Sequence, residues 1–140
     1  MLFFTLIFTI NSHSITKEYS DGIDAWAKED YVTALEKFTF AASQGNTDAQ
    51  FNLGLFYEIG LGVTKDHLKA ANWYKMSAIK GHTDSQIRLG TIYFIGKSGI
   101  NQNLTEARRW MRLASTKGSK EAKLLIAIIN FKLAINNLFI

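Results

Sequence analysis

An all-α fold, a solenoid of paired helices, is what this sequence predicts, and three observations carry the prediction. One pattern recurs after 36 and then 37 residues: Leu53-Gly54, Tyr57, Gly60, Gly62, Asp66, Ala70, Trp73-Tyr74 and Gly81 return as Leu89-Gly90, Tyr93, Gly96, Gly99, Asn103, Ala107, Trp110-Met111 and Gly118. A fixed period of that length marks units that bury their apolar faces only against their neighbours. Within each unit the apolar residues fall three and four apart, the spacing of one helix face. The chain has no proline, and its glycines recur where helices should stop.

The elements follow in order. A first pair spans about 17–28 and 31–44, where Gly22, Ala25, Tyr31, Ala34, Phe38, Ala41 and Gly45 form a divergent copy of the pattern. The next helix covers 47–59, with Ala49, Leu53 and Tyr57 on one face and Gly60 as its stop. Its partner covers 66–80 behind Asp66, a suitable N-cap, and buries Ala70, Trp73, Tyr74, Ser77 and Ala78. Small residues at 54, 70 and 78 are holes, and Trp73 and Tyr74 are knobs. The third unit repeats the scheme over 83–95 and 104–117. Its Asn103-Leu104-Thr105 has the letters of a glycosylation sequon but sits at the capping position of Asp66. A last helix spans 120–137, where Ala122, Ile126 and Ala127 stand for Ala49, Leu53 and Gly54. The units are therefore about 17–46, 47–82 and 83–119, with a partial unit at 120–140.

Two motifs carry a family resemblance. They are Ala49-Gln50-x-x-Leu53-Gly54-x-x-Tyr57-x-x-Gly60-x-Gly62-Val63-x-x-Asp66 and Lys69-Ala70-x-x-Trp73-Tyr74. This spacing resembles the Sel-one-like repeat, a relative of the tetratricopeptide repeat. The segment from Asp21-Gly22 to Ala34 is similar to the opening unit of exported bacterial members. The resemblance implies a right-handed α-α superhelix used for protein–protein contact. Some secreted members carry a cysteine pair in every unit. This chain has no cysteine, so a disulfide staple and a lipid-bearing cysteine are both excluded.

At 140 residues and 47% hydrophobic content, the chain forms one domain with ample core material. Residues 1–70 carry 5 Lys/Arg against 9 Asp/Glu, and residues 71–140 carry 11 against 3. The basic half is read as a solvated helix face; no nucleic-acid motif accompanies it, and no nucleic-acid partner is expected. Residues 1–14 read as a signal peptide, from the apolar run Met1–Ile10 and the small residues Ser12 and Ser14, with the repeat domain at 15–140. The implied location is periplasmic or secreted. The alternative is a cytoplasmic protein whose N-terminal helix packs on the first unit. The run is too short to span a bilayer, which needs about 20 apolar residues. The apolar C-terminal helix could instead meet a membrane surface.

The chemistry is sparse. His13, His67 and His82 have no ligand spacing, and no phosphate loop is present, so neither metal nor cofactor is expected. Ser77-x-x-Lys80 followed by Lys97-Ser98-Gly99 is similar to the serine–lysine arrangement of penicillin-recognising hydrolases. Ser77, however, lies in a buried stripe, and Lys97-Ser98-Gly99 in an interhelical loop. The preferred reading is a non-enzymatic adaptor that holds a protein or peptide segment. In tetratricopeptide-like units the first helices line the concave face. With Leu53-Gly54 as register, that face receives Phe51, Leu55 and Glu58, then Ile87, Thr91 and Phe94, then Leu124, Ile128 and Phe131, with Trp26 in the opening unit. This column is the expected groove for an apolar or amphipathic partner.

Overall fold

A computed structural model describes residues 2–96 and 99–138, with side chains from residue 12 onward. Residues 97 and 98, which hold part of the Lys97-Ser98-Gly99 motif, lie outside the described residues, as do all the side chains of the N-terminal apolar run. Seven helices are present among the described residues: α1 (Leu2–Ala27), α2 (Tyr31–Ser43), α3 (Thr47–Ile59), α4 (His67–Ile79), α5 (Thr83–Ile95), α6 (Leu104–Thr116) and α7 (Lys120–Leu138). No strand is present among the described residues. The all-α solenoid of helix pairs is therefore the observed fold, and α2 to α7 begin and end within a residue of the expected limits.

The first helix differs. It was expected to start near residue 17 and instead runs unbroken from Leu2. No proline or glycine precedes Gly22, so nothing in the sequence stops the helix from propagating backwards through the apolar run.

Each pair is closed by small residues. Thr47 meets Ser77 while Glu58 meets Tyr74, so α3 and α4 run antiparallel. The Tyr74 ring fills the space over Gly54: a Cβ added there would lie 2.3 Å from Cε1 of the ring. Met111 occupies the equivalent slot over Gly90, where a Cβ would lie 2.8 Å from Cε. Ala34, Ala70 and Ala107, the matching alanines of the three second helices, are fully buried. Three core clusters follow one another along the chain. One spans α1 to α3, one spans α4 to α6, and the last joins α6 to α7.

Caps repeat with the same period. Asp30, Asp66 and Asn103 accept backbone N–H bonds at the start of α2, α4 and α6, at 3.1, 3.0 and 3.0 Å. Asn46, His82 and Ser119 do the same for α3, α5 and α7. Asn103 is thus a cap, as its position predicted.

Adjacent units are also tied by side chains. Gln50 Nε2 donates to the Ala42 carbonyl and Gln86 Nε2 to the Ala78 carbonyl, both at 3.1 Å. Lys80 Nζ donates to the Gly45 carbonyl at 2.8 Å, and Lys117 Nζ to the Gly81 carbonyl. The glutamine bonds add a second donor to carbonyls that already accept the Gly45 and Gly81 N–H groups, and the lysine bonds reach the glycine carbonyls just past the helix ends.

Candidate functional site

The stacking of α3, α5 and the start of α7 leaves a groove of about 550 Å³ on the first-helix side. Helix spacing explains its lining. Phe51 and Glu58 come from α3; Asp84, Ile87, Arg88, Thr91, Ile92 and Ile95 come from α5; Glu121 comes from the first turn of α7. Asp84, Arg88, Thr91 and Ile95 are spaced four, three and four apart and so share one face.

The floor is apolar and the rim is charged. Phe51 is half-buried, stacked on the His82 ring at 4.8 Å and tilted against Tyr74 at 5.7 Å. His82 Nδ1 accepts the Ser85 backbone N–H, which leaves the proton on Nε2, 3.3 Å from Asp48 Oδ1. Glu58 accepts a 2.6 Å hydrogen bond from the Tyr74 hydroxyl and lies 3.9 Å from the Arg88 guanidinium. Burial, reinforced by that bond to Glu58, pushes the Tyr74 hydroxyl far above its ordinary pKa, so it stays protonated. The groove thus offers three carboxylates against one guanidinium that is already engaged.

Of the expected column, Phe51, Glu58, Ile87 and Thr91 are brought together in this groove. The others are not. Trp26 is half-buried in the first core cluster, edge-on to Phe56 at 5.3 Å and to Phe38 at 6.1 Å, because these large rings of α2 and α3 draw the indole inward. Leu55 packs on the second cluster. Phe94 packs on the third, beneath Lys132 of α7 at 5.3 Å, since α7 covers that side of α5. Leu124, Ile128 and Phe131 stay exposed on α7 and do not line the groove. Asp84, Arg88, Ile95 and Glu121 are lining residues that the expected register passed over. The i, i+4, i+7, i+11 face through Asp84 was the available signal.

The structure separates the serine–lysine pair: Ser77 lies in the core between α3 and α4, and Lys80 is exposed at the end of α4. Ser77 is fully buried; its hydroxyl donates to the Thr47 carbonyl at 2.8 Å and accepts from Ser85 Oγ at 2.8 Å. Lys80 is committed to the Gly45 carbonyl. Among the described residues no group of His, Cys, Asp and Glu could hold a metal ion, and no helix is long and apolar enough to cross a membrane.

The model of the Sel1 repeat family matches residues 47–82 and 83–119, more than half of the chain. No curated protein sequence matches it. Among solved structures, the chain is similar to c5321, a protective antigen of uropathogenic Escherichia coli strains displaying an SLR fold. Identity is 32% and the TM-score 0.77, over 84% of this chain and 26% of that one. It is also similar to a Sel1 repeat protein from Oxalobacter formigenes, with 25% identity and a TM-score of 0.66, over 79% of this chain and 60% of the other. The chain therefore spans about a quarter of the first relative and three-fifths of the second. Sel1 repeat proteins generally mediate protein–protein interaction. With two consecutive units matched and the helix-pair solenoid shared with these structures, the chain belongs to the Sel1 repeat family.

Proposed function

We propose that the protein is an exported, non-enzymatic adaptor that holds a segment of another protein in the α3–α5–α7 groove. The observation that carries this reading is the pairing of an apolar floor, from Phe51, Ile87 and Ile92 with Ile95 at its edge, with carboxylates at Glu58, Asp84 and Glu121. An amphipathic segment with apolar anchors and basic flanks fits that pattern. Such a segment needs no reacting group from the chain. The buried and hydrogen-bonded state of Ser77 agrees with a structural role for that residue.

Export rests on the apolar N-terminal run and the Ser12/Ser14 pair. Ile15 is the first described side chain of α1 to pack on the core, and Ser12, His13 and Ser14 are exposed. Cleavage after Ser14 would leave those core contacts in place. N-terminal sequencing of the protein from an exporting host should begin at Ile15, and an intact Met1 in a soluble cytoplasmic protein would count against it.

The groove is tested by a photo-cross-linking amino acid placed at Ile95, which is exposed at the groove, and at Ile79, which is exposed on α4 away from it. A defined partner adduct formed from position 95 and absent from position 79 is the expected result. Equal adducts from both positions, or an adduct from position 79 alone, would refute the groove.

A further inference from the structure

Helices α1, α3 and α5 are each covered by the helix that follows, which lies over Gly22, Gly54 and Gly90. In α7 the equivalent residue is Ala127, and it is exposed. Around it runs a row of exposed apolar side chains. Leu124 is 64% exposed, Ile128 42%, Phe131 68%, Ile135 36% and Leu138 80%, and Ala127 and Ala134 are exposed between them. The large residues are spaced four, three, four and three apart, a seam on one helix face. It is opposite to the buried side, which is marked by Ala122 and Ile129.

The order of sizes in this seam determines what can cover it. Read forwards it is Leu, Ala, Ile, Phe, Ala, Ile, Leu at positions 124, 127, 128, 131, 134, 135 and 138. An antiparallel helix of the same sequence, centred on Phe131, sets Leu124 against Leu138, Ala127 against Ile135, Ile128 against Ala134, and Phe131 against its own copy. Each alanine then meets an isoleucine, the large-against-small matching that close packing needs. Charge agrees. Between Leu124 and Leu138 the only charged residue is Lys132, and its ammonium lies over the Phe94 ring of its own chain, off the seam. The antiparallel direction is the one α4 takes against α3. Self-complementarity about a two-fold axis is the requirement of an isologous interface.

We propose that α7 docks onto α7 of a second copy of this chain, in an antiparallel pair centred on Phe131. None of these seam residues lines the groove, although Glu121 of its rim lies one turn before Leu124, and the test below reads the α7 pairing without reference to the groove.

The test uses the full chain and three variants. In sedimentation equilibrium the wild-type protein should reach twice the monomer mass at micromolar concentration, and Phe131→Glu should shift it to the monomer. Phe131 is exposed, so that variant should keep its helix content. The chain has no cysteine, which gives a clean background for the register. Leu124→Cys and Leu138→Cys chains, mixed and mildly oxidised, should cross-link to one another, and neither should cross-link well alone. A wild-type monomer across the range would overturn the proposal, as would a dimer indifferent to Phe131→Glu. Self-cross-linking of Leu124→Cys equal to the mixed yield would also overturn it, since that is the parallel arrangement. Sedimentation of a wild-type monomer with phosphatidylglycerol–phosphatidylcholine vesicles, abolished by Phe131→Glu, would assign the seam to a membrane instead.

Discussion

The Tyr74 hydroxyl donates a 2.6 Å hydrogen bond to the Glu58 carboxylate across the α3–α4 pair, from a ring that occupies the slot above Gly54. One residue therefore closes the helix pair and orients a carboxylate at the rim of the groove. Losing that hydroxyl leaves a partly buried carboxylate with one partner fewer. Tyr74→Phe should lower stability by about 1.5–3 kcal/mol, the range for a hydrogen bond to a charged group. Chemical denaturation monitored by circular dichroism measures it, and an unchanged midpoint would show the bond to be dispensable.

The same bond makes a pH prediction. Burial and Glu58 raise the folded-state pKa of Tyr74 above its unfolded value near 10. The folded protein therefore holds this proton more tightly than the unfolded chain does. The resulting stability is fully present below about pH 10 and is lost as pH rises further. Melting temperature should fall between pH 9 and 11 more steeply in the wild type than in Tyr74→Phe. Parallel curves for the two proteins would contradict it.

Gly54 and Gly90 occupy equivalent positions but should not tolerate alanine equally. At Gly54 the added Cβ meets a rigid ring at 2.3 Å, and that ring is held at its far end by Glu58. At Gly90 it meets the flexible end of Met111 at 2.8 Å. Overpacking costs about 1–3 kcal/mol, against which alanine gains about 0.5–1 kcal/mol of helix preference. Gly54→Ala should therefore destabilise by about 1–2 kcal/mol while Gly90→Ala stays near neutral. Gly90→Leu is too large for the methionine to evade, and should cost roughly 1–3 kcal/mol. Thermal melts of the three variants give the order directly.

Removing either second-helix cap should have a similar, local effect. Asp66→Ala and Asn103→Ala each delete an acceptor for a first-turn N–H, at 3.0 Å in both cases. The expected cost is about 1 kcal/mol apiece. Hydrogen exchange should quicken at Lys69 and Glu106 respectively, and a variant with unchanged exchange there would show that water replaces the cap.

The sequence made the helix pairs legible because their packing is local and repeats. Gly54 with Tyr74 and Gly90 with Met111 are spacings visible in one chain, and so are the caps at Asp66 and Asn103. Two things escaped that logic. His82 caps α5 through Nδ1, a role that Asn46 fills one unit earlier, and a histidine does not announce it. The concave column was read as uniform, but its residues do not have equal neighbours. Phe56 and Phe38 draw Trp26 inward, and α7 covers Phe94. Those contacts depend on which helix lies alongside, so the groove turns towards Asp84, Arg88 and Ile95. The start of α1 was missed for another reason: periodicity locates packed residues, and a helix can extend beyond the last one that packs.

The lysine ties give the molecule a mechanical direction. Lys80 fastens the carbonyl of Gly45, and Lys117 fastens that of Gly81, so each unit is latched by the one after it. Gly118 has nothing within 4 Å of where a Cβ would stand, and no such latch follows it among the described residues. Load that parts the second unit from the third must break the Lys117 tie, and load that parts the first from the second must break the Lys80 tie.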